Sequence, residues 1–383
     1  MVEVFHGEVI GNINYKEVAN GQPLSFKLTF KYLTMFYKIF LVITIGITII
    51  SCNNKKIPKN PINHFSKSEF VICKNAIDIS EYDILFPTTI LKYKNWYVFD
   101  EINDNNACIK MLKTDLSKSI KGVQQGNGPF DVIGYFKVDK TTDSLYIIDS
   151  NHKRIFNLDV ISDSLKLKVI KEDISLNGTG IMLNKNLFLE PTLGDSLMYR
   201  LIDLDKNVLA KIFYPQNVCL SKFDYMAQNS IYLNTKFACS PDRTHYAWGI
   251  LNYSLFGFGT IIKNKSLTLD KMYEYQPIKI RDLVYHNESW HIAPTRDNPI
   301  VTIDCIGTEK YAIFLYYGKP YNGETPTSSD LLIYEWGGKP YKHVKLDKQM
   351  LIIQYDAEQK LLYGLAYEPE ATLVEYDMNT ILK

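Results

Sequence analysis

From about residue 70 onward the chain alternates apolar and polar positions, in short runs broken by Asp, Asn, Gly and Lys clusters. Trp96-Tyr97-Val98-Phe99-Asp100, Leu145-Tyr146-Ile147-Ile148-Asp149, Tyr311-Ala312-Ile313-Phe314-Leu315-Tyr316 and Leu361-Leu362-Tyr363-Gly364-Leu365 are typical. A period near two, rich in aromatic and β-branched residues, predicts strands. No amphipathic helix of normal length is predicted after residue 70.

One unit recurs: a polar turn, an aromatic strand, a second turn, and a strand ending near Asp. Residues 143–159 show it best, and 195–205 and 359–377 echo it. Aromatic strands begin near 96, 145, 197, 245, 311 and 361. Their spacings are about 50 residues, with one near 65 before Tyr311, and roughly 55 residues per unit exceeds the ~40–50 of a propeller blade. The expected fold is all-β, a six-bladed β-propeller of four-stranded antiparallel blades over residues 68–383. Radial closure protects sheet edges that an open sheet would expose. The ring is expected to close through residues 68–77 pairing with the final blade. Residues 264–299 and 318–329 are read as long loops.

The amino terminus carries an address. Lys38 precedes an apolar run, Ile39 to Ile50, which ends in Ile50-Ser51-Cys52. That run is short against the roughly 20 residues of a bilayer span. A basic residue, a short apolar stretch and a small residue before the cut form a secretory signal. Ile-Ile-Ser-Cys resembles a bacterial lipobox, so residues 35–51 are read as a lipoprotein signal peptide and Cys52 as the lipidated residue. Several acyl chains hold a protein stably at a membrane where one does not. Residues 1–34 lack signal character and read as an upstream extension, with translation starting at Met35. Asn53 follows Cys52, so the Asp that retains many lipoproteins at the inner membrane is absent. The expected location is the cell envelope, at the periplasmic face of the outer membrane. Residues 52–67, polar and carrying Pro58 and Pro61, read as a tether.

Composition narrows the function. Lys and Arg total 43 against 42 Asp and Glu, a net charge of +1, so no general attraction for nucleic acid is expected. Beyond Cys52 there remain Cys73, Cys108, Cys219, Cys239 and Cys305, an odd number with no CxxC pair. Buried free thiols are expected. The nearest pair for a disulfide is Cys219 with Cys239.

No GxSxG, HExxH or Walker A sequence is present. Gly257-Phe258-Gly259 lacks the strand–helix setting of a dinucleotide site. His286, Glu288 and His291 cluster, but a five-residue spacing points the histidines to opposite faces of a strand, so no metal is predicted. Asp104-Asn105-Asn106 and residues 139–143 read as solvated acidic turns. No catalytic residue and no cofactor are assigned. The binding candidates are Arg243 and His245 in one turn, Trp290, His291 and Arg296 in the long loop of the fifth unit, and Tyr316, Tyr317 and Tyr321 around Gly318-Lys319-Pro320. Aromatic rings and guanidinium groups suit interfaces. The tyrosines also suit packing between blades.

Several motifs resemble a known family. Gly126-Asn127-Gly128-Pro129-Phe130, followed by Leu145 to Asp149 and Arg154-Ile155, resembles the signature of NHL- and TolB-like six-bladed propellers. Cys239-Ser240-Pro241-Asp242-Arg243 resembles the SPDG-type turn of TolB-like blades, with Arg243 where Gly is usual. Tyr311 to Lys319, Ile333 to Pro340 and Leu362-Tyr363 look like the carboxy-terminal half of the TolB-like propeller lipoproteins. The resemblance implies a six-bladed propeller on a lipid tether and no particular reaction. Plain structural roles fit the same residues: Gly126 and Gly128 at positive φ, Pro129 fixing a turn, and Asp149 and Asp242 capping turns.

The expected function is a membrane-tethered binding platform for an envelope protein, peptide or glycan. The alternative is a metal-dependent propeller hydrolase or lyase acting at the central channel.

Overall fold

The computed structural model describes residues 59–383, apart from 135, 142, 162–163, 175, 177–178, 193 and 287–288. The signal peptide and Cys52 lie outside the described residues. Two short strands come first, β1 (Ser68–Val71) and β2 (Asn75–Asp78). Blade 1 is β3 (Thr89–Tyr93), β4 (Trp96–Asp100), β5 (Ile109–Lys113) and β6 (Ser119–Gly122). Blade 2 is β7 (Lys137–Lys140), β8 (Leu145–Asp149), β9 (Arg154–Ile161) and β10 (Ser164–Lys171). Blade 3 is β11 (Ile181–Asn184), β12 (Leu187–Pro191), β13 (Leu197–Asp203) and β14 (Val208–Phe213). Helix α1 (Tyr225–Tyr232) leads into blade 4: β15 (Thr235–Cys239), β16 (His245–Ile250), β17 (Tyr253–Ile262) and β18 (Ser266–Gln276). A hairpin, β19 (Ile280–His286) and β20 (Ser289–Pro294), precedes blade 5: β21 (Pro299–Gly307), β22 (Tyr311–Pro320), β23 (Ser328–Glu335) and β24 (Pro340–Met350). Blade 6 is β25 (Ile352–Asp356), β26 (Leu361–Tyr367) and β27 (Ala371–Asp377), followed by the short helix α2 (Met378–Ile381).

Each blade is an antiparallel meander. Two observations arrange the meanders in a ring. The first strands neighbour one another in the cycle β3, β7, β11, β15, β21, β25 and back to β3. The apolar core also divides into six clusters, one per blade junction. Tyr146, Ile148 and Ile155 meet Met182 and Phe188 between blades 2 and 3. Tyr97, Phe99 and Leu112 meet Leu361, Tyr363 and Leu373 between blades 6 and 1. The molecule is therefore a six-bladed β-propeller.

Burial explains the sequence pattern. β4, β8 and β12 are buried at every position, since a second strand is covered by both neighbouring blades. Such strands read as continuous apolar runs. β10 alternates exposed and half-buried positions because it is an outer strand facing solvent.

The amino-terminal segment closes the ring differently from the sequence expectation. Only β2 joins blade 6, antiparallel to β27. β1 instead runs parallel to β24, as a fifth strand of blade 5. Polar partners hold it there: Lys342, fully buried, pairs with Glu69 at 2.9 Å, and the Ser68 hydroxyl lies 2.9 Å from His343 Nδ1. The last residues of the expected tether are also docked. Ile62 and Phe65 pack on the cluster between blades 4 and 5, and His64 Nδ1 lies 2.6 Å from the Tyr275 hydroxyl.

Three further expectations change. The aromatic strands at 96, 145, 245, 311 and 361 open the second strand of their blades, but 197 opens the third strand of blade 3. Leu187-Phe188-Leu189-Glu190-Pro191 holds the second place and lacks the tyrosine-rich signature. Residues 264–299 are mostly strand rather than loop, and the loop within 318–329 shrinks to residues 321–327. As expected, no helix of normal length follows residue 70 among the described residues; the eight-residue α1 is capped by the Asp224 side chain accepting from the Ala227 amide at 3.0 Å. It is too short to print a helical period on the sequence.

Candidate functional site

The meander places the candidate site. Every blade starts at the channel, so turns between first and second strands, and between third and fourth, share one end of the ring. Connections from blade to blade share the other. We call these the turn face and the connection face.

The six inner strands bring together residues that lie far apart in sequence. Five cations, Lys92, Lys137, Lys140, Lys236 and Arg243, and three carboxylates, Asp139, Asp304 and Asp356, come from these strands and the β15–β16 turn. Lys92 is ion-paired with Asp356, joining blade 1 to blade 6. Lys140 Nζ donates to the Lys92 carbonyl at 2.6 Å, joining blade 2 to blade 1. Asp139 accepts from Lys137 at 3.2 Å and from the Met182 amide at 3.0 Å, joining blade 2 to blade 3. Asp304 accepts from the Ile353 amide at 3.0 Å, joining blade 5 to blade 6. The channel wall is thus stitched by polar contacts, with a surplus of positive charge.

Burial and neighbouring charges set the ionisation of these groups. Burial pushes the Asp304 carboxyl above the usual carboxylate range, although Lys236 pulls the other way. Burial also raises Asp356, but the Lys92 bond and two backbone amides outweigh it, and its carboxyl ends below that range. Burial lowers the Lys140 ammonium; Asp356 opposes this while Arg243 adds to it. Burial pushes the Cys239 thiol up to about 11, although the positive charge of Arg243 pulls the other way. Among the described residues, no carboxylate stands within ion-pair distance of Lys140, Lys236 or Arg243. No three His, Cys, Asp or Glu side chains among the described residues stand close enough to hold a metal ion.

The sequence candidates scatter. Arg243 sits in the β15–β16 turn, at the turn-face end of β15. Its φ of 59° explains why Gly is usual at this place in such a turn. Asp242 caps that turn, accepting from the Thr244 amide at 3.1 Å and its hydroxyl at 2.8 Å. His245 stacks on Trp336, ring centroids 5.9 Å apart, as part of the junction with blade 5. Tyr316 is buried in the core between blades 4 and 5, and Tyr317 is half-buried against the core between blades 5 and 6. Tyr321 is exposed beyond the end of β22. Trp290 and His291 belong to β20, and Arg296 is exposed in the turn before β21. That hairpin is tied to α1 through the Ile292 amide, which donates to Ser230 Oγ at 3.0 Å. The fold therefore places Arg243 at the turn-face end of an inner strand and disperses the other candidates.

Three local readings are corrected or explained. Gly126 and Gly128 do not have positive φ. They are needed for close approach, because the Asp131 carboxylate sits 2.6 Å from where either Cβ would stand. Arg154 secures the same loop by donating to the Pro129 carbonyl at 3.0 Å. Asp149 caps its turn, accepting from the amides of Asn151 and His152. Asp139 is a channel carboxylate, not part of a solvated turn, while Asp104 does cap its own turn.

The channel lysines escaped the sequence reading because each blade contributes only one or two. The available signal was a charged residue inside a short first strand, as in Thr89 to Tyr93 and Thr235 to Cys239.

Exposed large apolar side chains are spread over the blades, and four of them lie in connections that belong to the connection face. Phe86, before blade 1, is 65% exposed; Phe130, between blades 1 and 2, 55%; Tyr285, on the hairpin, 60%; and Tyr321, between β22 and β23, 56%.

No family model matches the chain, and no curated protein matches it in sequence. Solved structures are similar to it in fold. A DUF4221 family member from Bacteroides vulgatus aligns at 12% identity and a TM-score of 0.46, covering 79% of this chain and 96% of that one. Regucalcin, a calcium-binding protein from Agrobacterium tumefaciens, aligns at 11% identity and a TM-score of 0.47, covering 81% and 96%. The Cps50 (Swd1) β-propeller domain from Myceliophteria thermophila aligns at 11% identity and a TM-score of 0.38, covering 80% and 98%.

Proposed function

We propose that the chain is an envelope lipoprotein, acylated at Cys52, whose propeller is a docking platform for another protein. The fold suits such a role, and the TolB-like resemblance of its motifs points the same way. The observation that carries the reading is the connection face. Exposed aromatic side chains supply the anchors that interaction surfaces use. Phe86, Phe130, Tyr285 and Tyr321 come from different blade connections, so the footprint is broad. A standard protein interface buries about 800 Å² per partner, with aromatic anchors at its centre. A single sugar ring needs only one such anchor. The metal-centred hydrolase alternative finds no donor set among the described residues.

The test has two arms. Protein extracted from membranes is weighed intact beside Cys52→Ala. A mass of residues 52–383 plus acyl groups, lost in the variant, supports the anchor; an unacylated mass retaining residues 1–51 overturns it. Cross-linking in the envelope then compares the parent with the triple variant Phe86→Ser, Phe130→Ser and Tyr321→Ser. A partner captured by the parent and lost in the variant supports docking at this face. Equal capture, or none, overturns it.

A further inference from the structure

The outer edge of blade 5 carries a polar constellation that a docking platform does not require. Three strands meet there: β1 at the open edge of the sheet, β24 beside it, and β23 next. Ser68 of β1 stands opposite His343 of β24, which in turn stands opposite Leu332 of β23. Opposed residues share a face of the sheet, and Asp330, two positions before Leu332, shares it too. The register therefore puts a hydroxyl, an imidazole and a carboxylate in one line. The Ser68 hydroxyl lies 2.9 Å from His343 Nδ1, and His343 Nε2 lies 2.7 Å from Asp330 Oδ1.

Hydrogen-bond chemistry gives the line a direction. A carboxylate only accepts, so Asp330 draws the ring proton to Nε2. Nδ1 then keeps its lone pair and accepts from the Ser68 hydroxyl. Both ring nitrogens are engaged and His343 is buried, which fixes the ring, while Ser68 itself is exposed. Among the described residues, no Lys or Arg stands within ion-pair distance of Asp330, so its charge acts on the imidazole. This is the order of nucleophile, base and orienting acid, with the two ring nitrogens exchanging their usual roles. A donor for developing negative charge stands beside it. The Lys67 carbonyl accepts from the His343 amide at 3.0 Å, and that parallel register turns the Ser68 amide to the open edge of β1. Phe70, two residues further along the same face, is 62% exposed and offers an apolar surface next to the hydroxyl.

We propose that Ser68 is the nucleophile of an acyl-transfer site, with His343 as its general base and Asp330 as the residue that positions His343. The substrate class is a carboxylic ester with an apolar acyl group and a good leaving group, because one amide donor stabilises an oxyanion only modestly. Ser68 Oγ bonds to the carbonyl carbon as its proton passes to Nδ1. The ester C–O bond breaks, and Nδ1 returns that proton to the departing alkoxide. Water then attacks the acyl-serine and gives a proton to Nδ1. The bond to Oγ breaks, Ser68 recovers the proton, and the acid leaves. None of these residues belongs to the connection face, so either proposal survives the failure of the other.

The test uses the full chain, with p-nitrophenyl butyrate as substrate and a fluorophosphonate as covalent probe. Saturable hydrolysis is expected, with an adduct that peptide mass spectrometry maps to Ser68. Both should fall tenfold or more in Ser68→Ala and in His343→Gln, and stay unchanged in Ser164→Ala, an exposed serine on β10. Asp330→Asn should lower kcat tenfold or more at unchanged KM, and Asp330→Glu should recover part of the loss. Absence of hydrolysis or of the adduct, persistence of either in Ser68→Ala, or an unchanged kcat in Asp330→Asn overturns the proposal. Unfolding curves of every variant separate loss of the site from loss of β1, and the adduct on the parent chain depends on no variant folding.

Discussion

Lys92, on the innermost strand of blade 1, is ion-paired with Asp356 on the innermost strand of blade 6. The two residues are 264 positions apart and meet only because the ring closes. Both side chains are nearly buried, at 10% and 6% exposure, so the pair carries a large desolvation penalty that each partner offsets for the other. Removing one partner strands the other.

Asp356→Asn is expected to lower stability at pH 7 by about 3 kcal/mol, the usual scale for breaking a buried pair. The pH dependence has a defined sign. The Asp356 carboxyl titrates below its ordinary value of 3.8 in the folded chain. Its contribution is therefore complete above that value and is lost as the pH falls through the folded one. Urea unfolding at pH 7 and pH 3 checks this: the gap between parent and variant should narrow at the lower pH. A gap that is constant or widens on acidification contradicts it.

Asp304 should behave in the opposite way. Burial raises its carboxyl above 3.8, so the folded state favours the protonated form. Stability is then highest below the unfolded value and falls as the pH rises through the folded one. Asp304→Asn keeps an oxygen for the Ile353 amide and removes the charge. The variant should gain stability relative to the parent between pH 4 and pH 8, read as melting temperatures across that range. A relative gain at the acid end would reverse the assignment.

Gly128→Ala should destabilise the loop between blades 1 and 2. The new methyl would stand 2.6 Å from Asp131 Oδ2, and the Gly128 amide donates to that same carboxylate at 2.8 Å. A loss of about 2 kcal/mol is expected, within the ordinary range for a steric substitution. Asp131→Ala removes the clashing group, so a double-mutant cycle should show strong coupling between the two positions. Additive effects would contradict the close-approach account.

All five cysteines between residues 59 and 383 are free thiols. Burial pushes Cys108 up to about 12 and Cys239 up to about 11, and Cys305 is raised well above its ordinary value for the same reason. The thiolate is the reactive form, so these three should resist iodoacetamide at pH 8 in the native protein. The half-buried Cys73 and Cys219 should label first. Peptide mass spectrometry before and after unfolding provides the check, and labelling of Cys305 in the folded chain would contradict it. Cys219 with Cys239, the nearest pair by sequence, does not form a disulfide.

The repeat was legible because it follows from local chemistry. A second strand covered on both sides must be apolar along most of its length, so Trp96 to Asp100 and Leu145 to Asp149, each apolar up to its closing Asp, stand out without any tertiary information. Turns were legible for a similar reason: Asp149 and Asp242 bond to amides two or three residues away. Blade 3 was misplaced by one strand because Leu187 to Pro191 lacks the tyrosines that mark the other blades.

The channel was not legible. Its residues are isolated charges in short strands, and a lone Lys in such a strand looks the same whether it faces solvent or a partner across the ring. Arg243 was named from the sequence, but as a loop residue; its place at the turn-face end of an inner strand appears only in the assembled ring.

By itself the sequence determined the all-β class, the number of blades, the capped turns and the expectation of a lipid anchor at Cys52, because these rest on period, spacing and contacts within a few residues. The tertiary structure alone decided how the amino-terminal strands divide between blades 5 and 6, which charges line the channel, and which aromatic residues reach the connection face. Those outcomes depend on groups hundreds of residues apart, such as Lys92 with Asp356 and Ser68 with His343, whose approach is set by ring closure rather than by any local preference.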